Sequence, residues 1–206
     1  MPRVVAVDAR APSSAALADA VAALRAGRVV AFPTETFYGL GAAALAPAAV
    51  RQIFAVKGRP DDKPLLVLVD SVAMAERVAV EIPERARALM ARYWPGALTL
   101  VLKARAHVPA EVTAGSGTVG VRLSAHPVAQ ALVRALGQPI TAPSANPSGQ
   151  PPPTTAAGVL GYFPRGLEIV LDGGVTAGGA PSTVLDVTVD PPRVLRAGAV
   201  EIPSCA

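Results

Sequence analysis

Short apolar runs of strand length alternate with longer stretches whose apolar residues recur every three or four positions, along all 206 residues. A chain patterned this way buries its strands in a sheet and covers them with helices, which is an α/β architecture. Ser14 reads as the N-cap of a helix reaching Ala26, with Leu17, Val21 and Leu24 on one face and Gly27 as its stop. Strands are expected at 28–32, 65–69, 98–103, 119–123, 140–142, 167–171, 184–189 and 194–196. Helices are expected at 47–56, 72–80, 83–93, 127–136 and 155–162. No helix separates 98–103 from 119–123, so these two cannot be joined by a parallel crossover. A twisted, open, mixed sheet with flanking helices follows.

Hydrophobic residues make up 51% of the chain and charged residues 17%, a globular composition that fits one domain over 1–206. The net charge of +4 favours anionic partners weakly. No block of five like charges exists to grip nucleic acid without sequence preference. Arg85, Arg87, Arg92, Lys103 and Arg105 read as a solvated helix face and strand end in preference to an RNA-binding patch. Cys205 is the only cysteine, which rules out an internal disulfide and suits a reducing compartment. The N-terminus carries no signal-peptide core, and no apolar run is of membrane-spanning length. A cytoplasmic protein is expected, with no membrane partner.

Four polar clusters stand beside these apolar runs. Lys57 and Arg59 sit two apart after a helix, so in an extended loop both project to one side. Arginine offers a planar fork and lysine a point charge to phosphate oxygens. The plain alternative is a pair of cations placed favourably at a helix C-terminus. Ser144 and Asn146 are bracketed by Pro143 and Pro147, which restrict the backbone and lower the entropy lost on ordering the side chains. A hydroxyl and an amide there suit phosphate, ribose or base contacts, or an ordinary turn. The segment from 143 to 154 holds five prolines and no helical pattern, and a long loop of that kind is more often functional than idle. Thr34, Glu35, Thr36 and Tyr38 follow a buried strand, where ligands of α/β sheets usually bind. Arg196 near the end completes the set.

Several chemistries are excluded. Gly39-Leu40-Gly41-Ala42-Ala43-Ala44 resembles a dinucleotide fingerprint, but a polar loop separates it from the strand and no acidic residue follows at the usual distance. There is no phosphate-loop lysine motif and no nucleophile elbow. His107 and His126 are the only histidines, too few to build a zinc site with one distant cysteine. Chemistry here must rest on positioning and on charge stabilisation of bound reactants.

The stretches FPTETFYGLGA (32–42), KGRPDDKPL (57–65), YWPGALTLVL (93–102), VGVR (119–122), PITAPSANPSG (139–149), PSTVLD (181–186) and VLRAG (194–198) resemble, in order, those of the YrdC-like threonylcarbamoyl-AMP synthase family. The resemblance covers about 14–198 and is to the short, single-domain form. It implies a YrdC-like fold, an α/β sheet around a large basic cavity. The activity implied is a nucleotidyltransferase making threonylcarbamoyl-AMP and pyrophosphate from L-threonine, bicarbonate and ATP. A threonylcarbamoyl transferase complex would pass the product to tRNA, with tRNA itself a candidate partner. By the resemblance, Lys57 and Arg59 hold the ATP phosphates and act in catalysis, and Ser144, Asn146 and Arg196 bind nucleotide. Lys63 and Thr118 are further ATP candidates. Arg122 is the bidentate partner for the threonine carboxylate, and Thr34, Thr36 and Ser182 line the amino-acid site. Mg²⁺ would be held mostly by substrate oxygens, with no protein metal ligands.

Three positions depart from the family pattern. Leu68 stands for a common histidine, Ser124 for a common proline after VGVR, and Pro152 for a frequent serine. Without the extra C-terminal domain of longer members, closure over the nucleotide must come from elsewhere, or the site stays more open. Other readings remain beside the synthase: a non-catalytic double-stranded RNA or tRNA binder, a carbamoyl-adenylate enzyme with another acceptor, and a paralogue without activity.

Overall fold

The computed structural model describes residues 1–58 and 63–202. In chain order the elements are β1 (Arg3–Ala6), α1 (Ser14–Arg25), β2 (Val30–Pro33), β3 (Tyr38–Gly41), α2 (Pro47–Lys57), β4 (Leu66–Leu68), α3 (Val72–Glu76), α4 (Glu84–Tyr93), β5 (Leu98–Lys103), α5 (Ala110–Thr113), β6 (Thr118–Arg122), α6 (Pro127–Leu136), β7 (Ile140–Thr141), α7 (Ala156–Tyr162), β8 (Ile169–Asp172), β9 (Thr183–Asp186) and β10 (Arg193–Arg196).

Local chemistry explains where the helices start and stop. Ser13, one residue earlier than the sequence suggests, caps α1 by accepting from the Ala16 amide at 3.2 Å. α6 matches its expected bounds, with Pro127 in the first turn and Gly137 left-handed at φ 75° as its stop. Its Val128, Ala129, Leu132, Val133 and Leu136 form one buried stripe, which packs on α1 and β2.

The strands form two mixed sheets, in the orders β1-β8-β2-β3 and β10-β9-β5-β6-β4-β7. β5 and β6 pair antiparallel although the connection between them, expected to hold no helix, carries the single turn α5, too short for a parallel crossover; β5 and β9 pair parallel. The edges β3 and β7 are stitched together by single bridges between Gly39 and Ser144 and between Ala43 and Ile140. Backbone bonds continue along this seam: Leu40 N–H to Pro143 O at 2.8 Å, Ala145 N–H to Tyr38 O at 2.8 Å and Thr141 N–H to Ala42 O at 2.9 Å. The Thr141 hydroxyl accepts from the Ala42 amide and donates to Leu40 O, standing in for backbone groups that the irregular pairing leaves over. The seam therefore joins the loop after β2 to the proline-rich loop after β7. One continuous apolar core runs beneath both sheets, from Leu17 to Val187. Among the described residues no helix is long and apolar enough to cross a membrane.

β1, β3 and α5 are elements that the sequence pattern does not announce. β1 is mostly exposed and exists through its parallel pairing with β8. β3 reads Tyr-Gly-Leu-Gly, which resembles a loop, yet it is wholly buried between β2 and the seam.

Candidate functional site

A cavity of about 450 Å³ opens over the seam. Thr34, Thr36 and Gly39 wall it from the β2–β3 hairpin, and Pro143, Ser144 and Pro152 from the long loop. Thr99 of β5, Thr118 and Arg122 of β6, Ser182 beside β9 and Arg196 of β10 form its floor and far side. Hydroxyls and two guanidiniums thus face one space, a donor-rich lining suited to anionic oxygens.

Arg122 is buried at 4% exposure, so its charge needs a partner. Its Nε donates to Gly96 O at 3.1 Å, and its Nη2 stands 2.6 Å from Oε1 of Glu35. That contact is an ion pair through one nitrogen and one oxygen, not a bidentate fork. The other Glu35 oxygen accepts a hydrogen bond from the Ser124 hydroxyl. Burial alone would raise the Glu35 pKa; the Arg122 charge and the Ser124 bond outweigh it and hold the carboxyl below its ordinary range. Glu35 was visible in the sequence as part of the hairpin loop, but its pairing with Arg122 spans 87 positions and has no local signature.

On the opposite side Arg196 donates from Nε and Nη2 to Ser182 O, at 3.1 and 2.8 Å, and from Nη2 to Ser182 Oγ at 3.0 Å. Ser182 Oγ also lies 2.9 Å from Thr99 Oγ1. Burial, and then the neighbouring positive charge of Arg122, lower the Arg196 pKa. Two cations that disfavour each other across a cavity are the electrostatic condition for anion binding. Thr99 and Ser116 line the cavity without having been singled out. Thr99 alternates with apolar Leu98 and Leu100 in a core strand, and a lone hydroxyl there carries little sequence signal.

The hairpin threonines are held within their own turn. Thr34 Oγ1 accepts from the amides of Thr36 and Phe37 at 3.2 Å and donates to Phe37 O at 2.7 Å. Thr36 Oγ1 lies 3.1 Å from it. Tyr38 anchors the hairpin from below, donating to Gly174 O at 2.7 Å; burial helps push its pKa up to about 12.

Lys57 and Asn146 are buried and lie outside the cavity lining, whereas Ser144 lies in it. The Lys57 ammonium donates to the carbonyls of Ser144 and Asn146, so it braces the proline-rich loop from behind. Asn146 Nδ2 donates to Pro147 O and Gln150 O at 2.9 and 2.7 Å, closing that loop on itself. Replacing Lys57 by methionine would leave two carbonyls without their charged donor, at about 1–3 kcal/mol for each group left unsatisfied. Lys57→Met is expected to lower the melting temperature and to speed proteolysis within 143–153; unchanged melting and cleavage would refute the bracing role.

Arg59 lies outside the described residues. Lys63 is exposed and outside the lining. Leu68 is 1% exposed, paired with Arg122 in β-register, and part of the core. Pro152 does line the cavity. Of the arginines near α4, Arg85 is tied to Asp190 and Val189 O, Arg87 to Glu76, and Arg105 to Glu76 O and Ala79 O. They serve their own fold, as the solvated-face reading expects.

The sequence model of the Sua5, YciO and YrdC family, described as telomere recombination, matches residues 22–198. The threonylcarbamoyl-AMP synthase of Pyrococcus abyssi is 49% identical over 179 residues, covering 87% of this chain and 53% of that one. The threonylcarbamoyl-AMP synthase of Bacillus subtilis is 47% identical over 185 residues, covering 89% and 54%. The chain thus spans about half the length of these two relatives. The crystal structure of P. abyssi Sua5 complexed with L-threonine superposes with a TM-score of 0.92 at 46% identity, covering 95% of this chain and 57% of that one.

Proposed function

Because the chain belongs to the Sua5/YciO/YrdC family, we propose that it is an L-threonylcarbamoyladenylate synthase. It joins L-threonine, bicarbonate and ATP into threonylcarbamoyl-AMP and releases pyrophosphate. The observation that carries this reading is the placing of Arg122 and Arg196 on one hydroxyl-lined cavity, in a chain similar to a Sua5 complexed with L-threonine. The threonine carboxylate goes to Arg122, with the hydroxyls of Thr34, Thr36 and Ser182 around the amino acid. Ser144, Thr118 and Arg196 take the nucleotide, while Asn146 shapes the loop that presents Ser144. Lys57 and Arg59 are assigned to the ATP phosphates, Lys57 through the loop it braces, and Lys63 is a further ATP candidate.

The amine of threonine attacks the carbon derived from bicarbonate, and water leaves as the carbamate forms. A carbamate oxygen then attacks the α-phosphorus and pyrophosphate departs. No protein nucleophile is required, so the residues act by orientation and by stabilising developing charge. Among the described residues no three His, Cys, Asp or Glu side chains gather into a metal site. In this reading Mg²⁺ enters with the nucleotide, held mostly by substrate oxygens, as is usual for this ion.

Residues 1–206 are read as one domain with its core at about 14–198, a reading supported by the continuous apolar cluster. The product passes to a threonylcarbamoyl transferase complex that modifies tRNA, in the cytoplasm where the three substrates and tRNA meet. A purely RNA-binding role is disfavoured by the internal engagement of Arg85, Arg87 and Arg105.

Pyrophosphate release with ATP, Mg²⁺ and bicarbonate, measured with and without L-threonine, tests the reading, with the adduct identified by mass. Release is expected only with threonine, and Arg59→Ala is expected to abolish it in a folded protein. Threonine-independent release would identify another acceptor. No release from a protein that still binds ATP would favour a binder.

A further inference from the structure

Ser124 is 2% exposed and sits just after β6, between the cavity arginine and the start of α6. Its hydroxyl donates to Glu35 and accepts from the His126 amide at 3.2 Å. Gln130 Nε2 donates to its carbonyl at 2.8 Å, fixing the backbone on the other side. A proline here would have neither a hydroxyl nor a backbone donor. The contact to Glu35 is therefore a property of this chain's own residue.

We propose that Ser124 is a positioning residue for the amino-acid site: its hydroxyl locks Glu35 against Arg122 and so sets the orientation in which that guanidinium faces the cavity. Glu35 and Arg122 meet through one nitrogen and one oxygen, Nη2 and Oε1, at 2.6 Å. A contact through one atom of each group fixes the guanidinium plane less firmly than a bidentate fork does. Two fixed points remove that freedom: Gly96 O, which takes Arg122 Nε, and the Ser124 hydroxyl, which holds the far oxygen of Glu35. The charged groups facing this pair are His126 at the N-cap of α6, which Glu35 acts upon, and Arg196 of β10, which Arg122 acts upon. The inference rests on the reading of the cavity as a threonine site.

The test is calorimetric binding of L-threonine and of ATP to the wild-type protein and to the variants Ser124→Ala, Ser124→Thr and Glu35→Gln. Ser124→Ala is expected to weaken threonine binding about tenfold, the effect of a lost charge-assisted hydrogen bond, with ATP affinity unchanged. Ser124→Thr, which keeps the hydroxyl, is expected to bind threonine as wild type does. The pH at which threonine affinity falls should move upward in Ser124→Ala, because the carboxylate loses a bond that favours its charged form. Glu35→Gln should weaken threonine binding and remove that acid limb. If Ser124→Ala does not fold, Glu35→Gln and Ser124→Thr carry the same comparison. Equal threonine affinity in Ser124→Ala, or parallel losses for threonine and ATP with no pH shift, would overturn the inference alone. A wild-type protein that binds ATP but not threonine would overturn the reading of the site, and this inference with it.

Discussion

Replacing Gly198 by alanine is expected to lower the melting temperature by about 3–10 °C and to remove most of the ATP affinity. A Cβ at this position would stand 2.2 Å from Pro181 O, 2.6 Å from Ser182 C and 2.6 Å from Thr183 N. All three are backbone atoms and none can swing aside as a side-chain tip would. The segment after β10 is tied to the same backbone by Ala199 N–H to Pro181 O at 2.8 Å and by Thr183 Oγ1 to Val200 O at 2.6 Å. Relieving the clash means separating these two strands. The separation withdraws Arg196 from Ser182, its hydrogen-bond partner at the cavity wall. Overpacking of this kind costs about 1–3 kcal/mol, and in a chain of this size each kcal/mol is worth about 2–4 °C. Thermal melts and ATP titration of Gly198→Ala check it. A variant that melts and binds ATP like wild type would mean that the strap is looser than its contacts imply.

Arg122→Met should produce the second large effect, a loss of about 3 kcal/mol at neutral pH together with threonine binding. The methionine keeps much of the packed stem and removes the charge. Glu35, with its side chain 21% exposed, then loses its counter-ion in a largely desolvated position. In the wild type the folded-state pKa of Glu35 is depressed. Its stabilising contribution is thus full above the ordinary carboxylate value and disappears as pH falls through the depressed one. In the variant, burial acts without the guanidinium and drives the pKa up, so the penalty is present above the ordinary value and fades in acid. The stability gap between the two proteins should therefore be widest near neutrality and shrink below about pH 4. Denaturant unfolding across that range measures it. A gap independent of pH would show that the lost stability is packing and not charge.

The helices were legible because their signals are local. Pro127 and Gly137 bound a stripe of apolar residues at helical spacing, and the structure keeps both limits. Strand positions in the core were legible from short apolar runs, as at Leu98–Lys103. Where strands were missed, the reason is pairing: Arg3–Ala6 has no buried face of its own, and Tyr38–Gly41 carries two glycines. The first is made by its pairing with the distant β8; the second pairs with its neighbour β2 as a hairpin and is held on the other side by bridges to the segment around β7.

The site divides along the same line. The kinds of groups present, cations beside hydroxyls in glycine- and proline-rich surroundings, were readable from the chain, as was the resemblance that names their roles. Their mutual arrangement was not. Lys57 turns inward to brace the loop of Ser144, Glu35 crosses to Arg122, and Thr99 and Ser116 join the wall. Residue type and short-range spacing determine which segments can become helix or strand and which chemistry they carry, because propensity, capping and periodicity act within a few positions. Whether a given cation faces ligand or backbone depends on the seam between β3 and β7 and on the order of strands beyond it. That order is chosen by burying one common core, a free energy summed over contacts that no local pattern records.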